Sequence, residues 1–148
     1  MITGLSIVVM TVVLTQANVT PLAQAHAHND YLHERPLFDA LAHGFTSVEA
    51  DVFLVGDQLC VAHEAREIRP ERTLRSLYLD PLRERMRRNG GRIYPDHTRF
   101  LLLIDLKSAA EPTYLRLHET LAEYRDLVTS FGPEGRQDKA VLVVVSGN

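Results

Sequence analysis

The chain has 148 residues, 45% of them hydrophobic, with one cysteine and a formal net charge of −3. That is long enough for one compact domain with its own core and too short for two. The charge balance leaves no basic footprint for nucleic acid and no acidic tail, and the lone Cys60 excludes an internal disulfide and a cysteine-rich zinc site.

In chain order, Leu5 to Leu14 is an apolar run of ten residues, about half of what a bilayer span requires. It reads as the apolar core of a signal peptide over 1–17, with cleavage after Ala17 and a second small-residue site at Ala23-Gln24-Ala25. Secreted or periplasmic placement follows from that reading, and a cytoplasmic one if the run is not a signal. No stable membrane span is expected. Asn18-Val19-Thr20 is a glycosylation sequon that matters only for an exported eukaryotic chain.

Pro21 to His28 is expected as a first strand, followed by Asn29-Asp30 and a helix with Pro36 near its start, Leu37, Ala40 and Leu41 as its stripe, and Gly44 as its cap. Ser47 to Val55 alternates Val48, Ala50, Val52 and Leu54 with Glu49, Asp51 and Phe53, the period of a strand. Gly56-Asp57 turns the chain, and Gln58 to His63 returns as a short strand. Asp80-Pro81 is expected to cap a helix carrying Leu82 and Met86 and ending at Asn89-Gly90-Gly91. The basic run Arg83 to Arg92 lies on it and reads as a solvated helix face.

Arg99 to Lys107 is nearly continuous apolar sequence, as for a strand buried on both faces. A long helix is expected next, with Tyr114, Leu117, Leu121, Tyr124 and Val128 on one stripe and Gly132-Pro133 closing it. Lys139 to Asn148 then reads as another buried strand. The alternation predicts an α/β parallel sheet with right-handed crossovers.

Chemistry gathers at the strand ends. Residues two apart on a strand share a face, so Glu49 and Asp51 point the same way, and two such charges persist together only beside something positive. With Asp105 they offer three hard oxygen donors and no thiolate, which suits one Mg²⁺ or Ca²⁺ ion. Histidines from the first strand and from the hairpin could serve as general base and general acid, since imidazole titrates near neutrality. Lys107, on the face of Asp105, could contact phosphate.

The ordered set His26-Ala-His-Asn-Asp-Tyr31, Arg35-Pro-Leu37, Ser47-Val-Glu-Ala-Asp51, Val61-Ala-His63, Arg72-Thr-Leu74, Leu77 to Leu82, Leu103-Ile-Asp-Leu-Lys107 and Ser146-Gly-Asn148 resembles the phospholipase-C-like phosphodiesterase superfamily. Within it the chain is most similar to the branch named after altered inheritance of mitochondria protein 6, beside the glycerophosphodiester phosphodiesterases. The resemblance runs from about Pro21 to the end. It implies a TIM-barrel phosphodiesterase of which 18–148 hold the first four β/α units, using one divalent cation and two histidines on a small phosphodiester or lipid head group.

Residue by residue, the resemblance implies His28 and His63 as catalytic, Glu49, Asp51 and Asp105 as metal ligands, and Lys107 as the lysine beside the third ligand, with Asn29 and His26 as further substrate contacts. His28-Asn29-Asp30 stands where glycerophosphodiesterases have His-Arg-Gly, so the substrate class stays open. The barrel's second half is not in this sequence, and self-association through open sheet edges is expected. Two other readings stay open: a zinc site of the amidohydrolase kind using His26 and His28, and a non-catalytic half-barrel remnant.

Overall fold

The computed structural model describes residues 19–148, so the expected signal segment, its cleavage after Ala17 and Asn18 of the sequon lie outside the described residues. Ten regular elements follow in order: β1 (Leu22–Ala27), α1 (Phe38–Ala42), β2 (Phe45–Val55), β3 (Gln58–Val61), α2 (Asp80–Arg88), β4 (Phe100–Leu106), α3 (Ala110–Ala122), β5 (Ser130–Gly132), β6 (Gly135–Gln137) and β7 (Val141–Gly147). Strands β1, β2, β4 and β7 pair in that order, all parallel, with β3 folded back antiparallel on β2. The sheet curls into a half-barrel. The expected α/β class and the four parallel strands are present. Among the described residues, no strand covers the outer edge of β1 or of β7.

One face of the sheet makes the core. Val48, Ala50 and Val52 of β2 and Leu102, Ile104 and Leu106 of β4 are at most 3% exposed. They pack with Leu41, Leu74, Tyr78, Leu82 and Leu117 from the helical layer. Each fully buried side chain of this kind is worth roughly 1.5–3 kcal/mol in transfer from water. The opposite, concave face carries Ser47, Glu49 and Asp51 of β2 and Leu101, Leu103 and Asp105 of β4, held side by side because Asp51 is in register with Asp105 and Asp105 with Ser146.

Burial on β4 alternates, with Leu101 and Leu103 only half-buried, so this strand is not buried on both faces. On β7 only Val141 is fully buried, and Val144 and Val145 are each 39% exposed. Helices cover the convex side alone, which leaves the concave face open and makes strand sequences suited to two covered faces only partly buried here.

Other boundaries move for local reasons. Asp80 does not cap a helix: a π turn over Arg75–Leu79 leads directly into α2, and the Asp80 carboxylate instead accepts the Tyr124 hydroxyl at 2.5 Å. Helix α3 ends at Ala122, short of Tyr124 and Val128. There Arg75 pairs with the Glu123 carboxylate and Arg83 donates to the Glu123 carbonyl, holding a turn from which Tyr124 and Val128 still reach the core, while Tyr114 is 52% exposed. Gly132-Pro133 closes no helix; it lies in the hairpin between β5 and β6. The basic run is used locally, with Arg83 on Asp126, Arg85 on the Ile93 carbonyl and Arg88 on Glu84. No helix among the described residues is long and apolar enough to cross a membrane.

Candidate active site

Four strand ends and one hairpin bring the chemistry together. The two-residue turn at Gly56-Asp57, with Gly56 at φ 57°, pairs Val55 with Gln58 and sends β3 back along β2. The Ala62 amide then donates to the Asp51 carbonyl at 3.3 Å, which sets His63 beside Asp51. They are twelve positions apart in sequence; the hairpin register makes them neighbours.

His28 follows β1, and its Nε2 lies 3.3 Å from Glu49 Oε2 with 72% of the side chain exposed. The next residue, Asn29, takes a left-handed backbone at φ 53° and turns its amide to donate to the same Glu49 oxygen at 2.9 Å. Asparagine tolerates that conformation better than most residues. His63 Nδ1 lies 3.5 Å from Asp51 Oδ2. Each expected catalytic histidine therefore sits on a different β2 carboxylate.

Asp51 is 1% exposed. Its Oδ2 accepts the Tyr31 hydroxyl at 2.7 Å and lies 3.3 Å from Lys107 Nζ, whereas its Oδ1 is buried with no hydrogen-bond partner. Lys107 bridges from Asp51 to Asp105, and Asp105 accepts Ser146 Oγ at 2.7 Å. Burial pushes the Asp105 carboxyl up, but the Lys107 and Ser146 hydrogen bonds outweigh it and hold its pKa below the ordinary value. The same bond to Asp105 raises the Lys107 ammonium above its usual range.

As placed, no three of the described His, Cys, Asp and Glu side chains stand close enough together to hold one ion. The Lys107 ammonium occupies the space between the two aspartates. The chemistry of the donors nonetheless fits a hard cation: the set is all oxygen, and Asp51 keeps one desolvated oxygen without a partner, which is costly unless something positive meets it.

His26 stands apart from the cluster. It pairs in register with Ser47, two residues before Glu49, and its Nδ1 is hydrogen-bonded to Ser47 Oγ at 2.7 Å.

Four participants are not among the candidate site residues of the sequence: Tyr31, Ser146, Asp30 and Tyr78. Tyr31, 2% exposed, meets Asn29, Asp51 and His63 through one hydroxyl. Burial, the bond to Asp51 and nearby carboxylates raise its phenol pKa well above the usual value. Asp30 is fully buried, accepts the Leu37 amide at 2.6 Å and the Tyr78 hydroxyl at 2.9 Å, and so ties the β1–α1 loop to the turn before α2. All four fall inside the motifs that carry the resemblance, which is the one signal that could have found them.

A cleft of about 510 Å³ lies elsewhere, lined by Arg92, Asp96, Arg99, Asp126, Asp138 and Lys139 near the start of β4 and β7. None of the cluster residues lines it.

The AIM6-like phosphodiesterase domain matches residues 14–148. Altered inheritance of mitochondria protein 6 of Lachancea thermotolerans is 53% identical over 68 residues, covering 44% of this chain and 16% of that protein. The protein of the same name from Eremothecium gossypii is 32% identical over 149 residues, covering 88% of this chain and 38% of its own length. The homolog from Arthroderma benhamiae is 48% identical over 63 residues, covering 38% of this chain and 20% of its own. The chain thus spans less than two fifths of the length of these relatives. No solved structure matches. The family match runs through β1 to β7 and takes in every residue of the cluster from His28 to Ser146: the chain belongs to the AIM6-like phosphodiesterase domain family.

Proposed function

We propose that this domain carries the acid–base and metal-holding part of a phosphoric diester hydrolase acting on a glycerophosphodiester- or phospholipid-like substrate. One observation carries the reading: two histidines from separate elements rest on neighbouring carboxylates of β2, and one of those carboxylates keeps a buried oxygen without a partner. The family description, a phosphodiesterase domain, supports the same class.

Glu49, Asp51 and Asp105 would hold one Mg²⁺ or Ca²⁺ ion, which when bound supplies positive charge to the phosphate oxygens as negative charge grows on them. His28 and His63 handle protons. One takes the proton of the attacking hydroxyl or water, and the other gives a proton to the oxygen leaving phosphorus. Lys107, already positive between two carboxylates, adds a contact for a phosphate oxygen, with Asn29 beside it.

The test is turnover of bis-p-nitrophenyl phosphate and of a glycerophosphodiester by a full-length version of the protein in the presence of Mg²⁺ or Ca²⁺. His28→Ala and His63→Ala should each lower the rate by roughly 10²-fold or more, the usual scale of acid–base catalysis, and His26→Ala should cost far less. A crippling His26→Ala beside a mild His28→Ala would reverse the assignment. A folded full-length protein that binds the ion and turns over neither substrate would favour the non-catalytic reading.

A further inference from the structure

Resting on the proposed role of His63, the geometry points to Tyr31 as a positioning residue that relays Asp51 to His63 and holds the imidazole with its proton on Nδ1. The Tyr31 hydroxyl lies 2.7 Å from Asp51 Oδ2, 3.0 Å from His63 Nδ1 and 2.8 Å from Asn29 Oδ1, yet it has one proton to give. A carboxylate competes for that proton better than a neutral amide or an imidazole nitrogen. With the proton on Asp51, the phenol oxygen is an acceptor. His63 Nδ1 must then be the donor, and a half-turn of the Asn29 amide puts its NH₂ on the same oxygen.

The consequence falls on the other ring nitrogen. An imidazole protonated on Nδ1 and otherwise neutral has its lone pair on Nε2, the nitrogen free to take a proton from a nucleophile. Asp51 does not do this directly, because its Oδ2 lies 3.5 Å from His63 Nδ1, beyond a good hydrogen bond.

The tyrosine is built to stay put. Its ring is 2% exposed and stacks on the His63 ring with centroids 6.5 Å apart at 24°, and its carbonyl accepts Arg72 Nη2 at 2.5 Å. The arrangement also divides the work of Asp51: Oδ2 serves Tyr31, and Oδ1 stays without a partner.

The experiment is nitrogen-15 NMR of ring-labelled histidine in a full-length version of the protein, wild type and Tyr31→Phe, which removes the hydroxyl and keeps the ring. Wild-type His63 should show a pyrrole-type Nδ1 and a pyridine-type Nε2, and Tyr31→Phe should mix in the opposite tautomer while the melting transition persists. In the same variant, kcat on the phosphodiester should fall roughly 10- to 100-fold with KM changed less than about threefold.

A wild-type His63 protonated on Nε2, or an unchanged tautomer in Tyr31→Phe, overturns the relay. If Tyr31→Phe does not fold, the wild type decides: a contact between the Tyr31 ring protons and the His63 Nδ1 proton supports the relay, and its absence overturns it. Because the tautomer is read without turnover, an inactive full-length protein with the Nδ1 proton in place sinks the phosphodiesterase reading and leaves the relay standing. The reverse pair of results does the opposite.

Discussion

Asp51 shows how much a single carboxylate can be asked to do. One oxygen is engaged by Tyr31 and lies near Lys107, and the other is buried without a partner. If the second is the ligand oxygen, Asp51→Asn should weaken Mg²⁺ or Ca²⁺ binding by about tenfold or more, on the order of 1.4 kcal/mol; calorimetry giving equal affinity for both proteins would remove the site. Asp30 is a different case, a buried carboxylate whose hydrogen bonds come from two neutral donors. Burial raises its pKa above 3.8 despite hydrogen bonds from Leu37 and Tyr78. The folded protein therefore holds that proton more tightly than the unfolded chain does, so the stability it contributes is fully present below the unfolded pKa and is lost as pH rises through the folded one. Asp30→Asn keeps an acceptor for both donors and cannot ionise. The stability difference between variant and wild type should move in favour of the variant as pH rises through that window, and a pH-independent difference in urea melts would show that Asp30 titrates alike in both states. Glu49, Asp51, Asp105 and the histidines stood out in the sequence because charge on a strand period is conspicuous. Asp30 did not, since an acid in a loop looks solvated until Leu37 and Tyr78 fold over it.

At the scale of elements, the entry into β2 is set by two backbone conformations that resist substitution. Leu37 is fully buried at φ 66°, with its amide on Asp30, and Gly44 turns the chain from α1 into β2 at φ 84°. A Cβ on Gly44 would also run into the Thr20 carbonyl. Gly44→Ala should therefore destabilise the domain by roughly 1–3 kcal/mol. A thermal melt unchanged from wild type would show that the loop before β1 gives way freely. The cap at Gly44 and the turn at Gly56 were legible because glycine signals positive φ. Asp80-Pro81 does mark the start of α2, but not as a cap: the π turn before it runs straight into the helix, and Tyr124 reaches across to the carboxylate. Likewise the stripe from Tyr114 to Val128 kept a helical period that the chain abandons after Ala122, where arginines from the neighbouring helical segment hold the turn.

For the whole molecule, the half-barrel leaves two sheet edges without partners among the described residues, and Val144 and Val145 are part-exposed on opposite faces of one of them. Unpaired backbone groups beside apolar side chains favour pairing with another chain. The 148-residue chain expressed alone without residues 1–17 should be dimeric or aggregated and at most weakly active; light scattering that shows a stable soluble monomer with full turnover would sink this expectation. The sequence by itself determined the α/β alternation, the strand that carries Glu49 and Asp51, and the family, because each of these is written in local periodicity or in ordered motifs. Only the tertiary structure decided which oxygen of Asp51 is left free, that Lys107 stands between Asp51 and Asp105, that His63 returns to Asp51, and that Tyr31 joins them. Those are contacts across the sheet register and over a loop, and no repeat along the chain encodes a distance between residues that only folding makes neighbours.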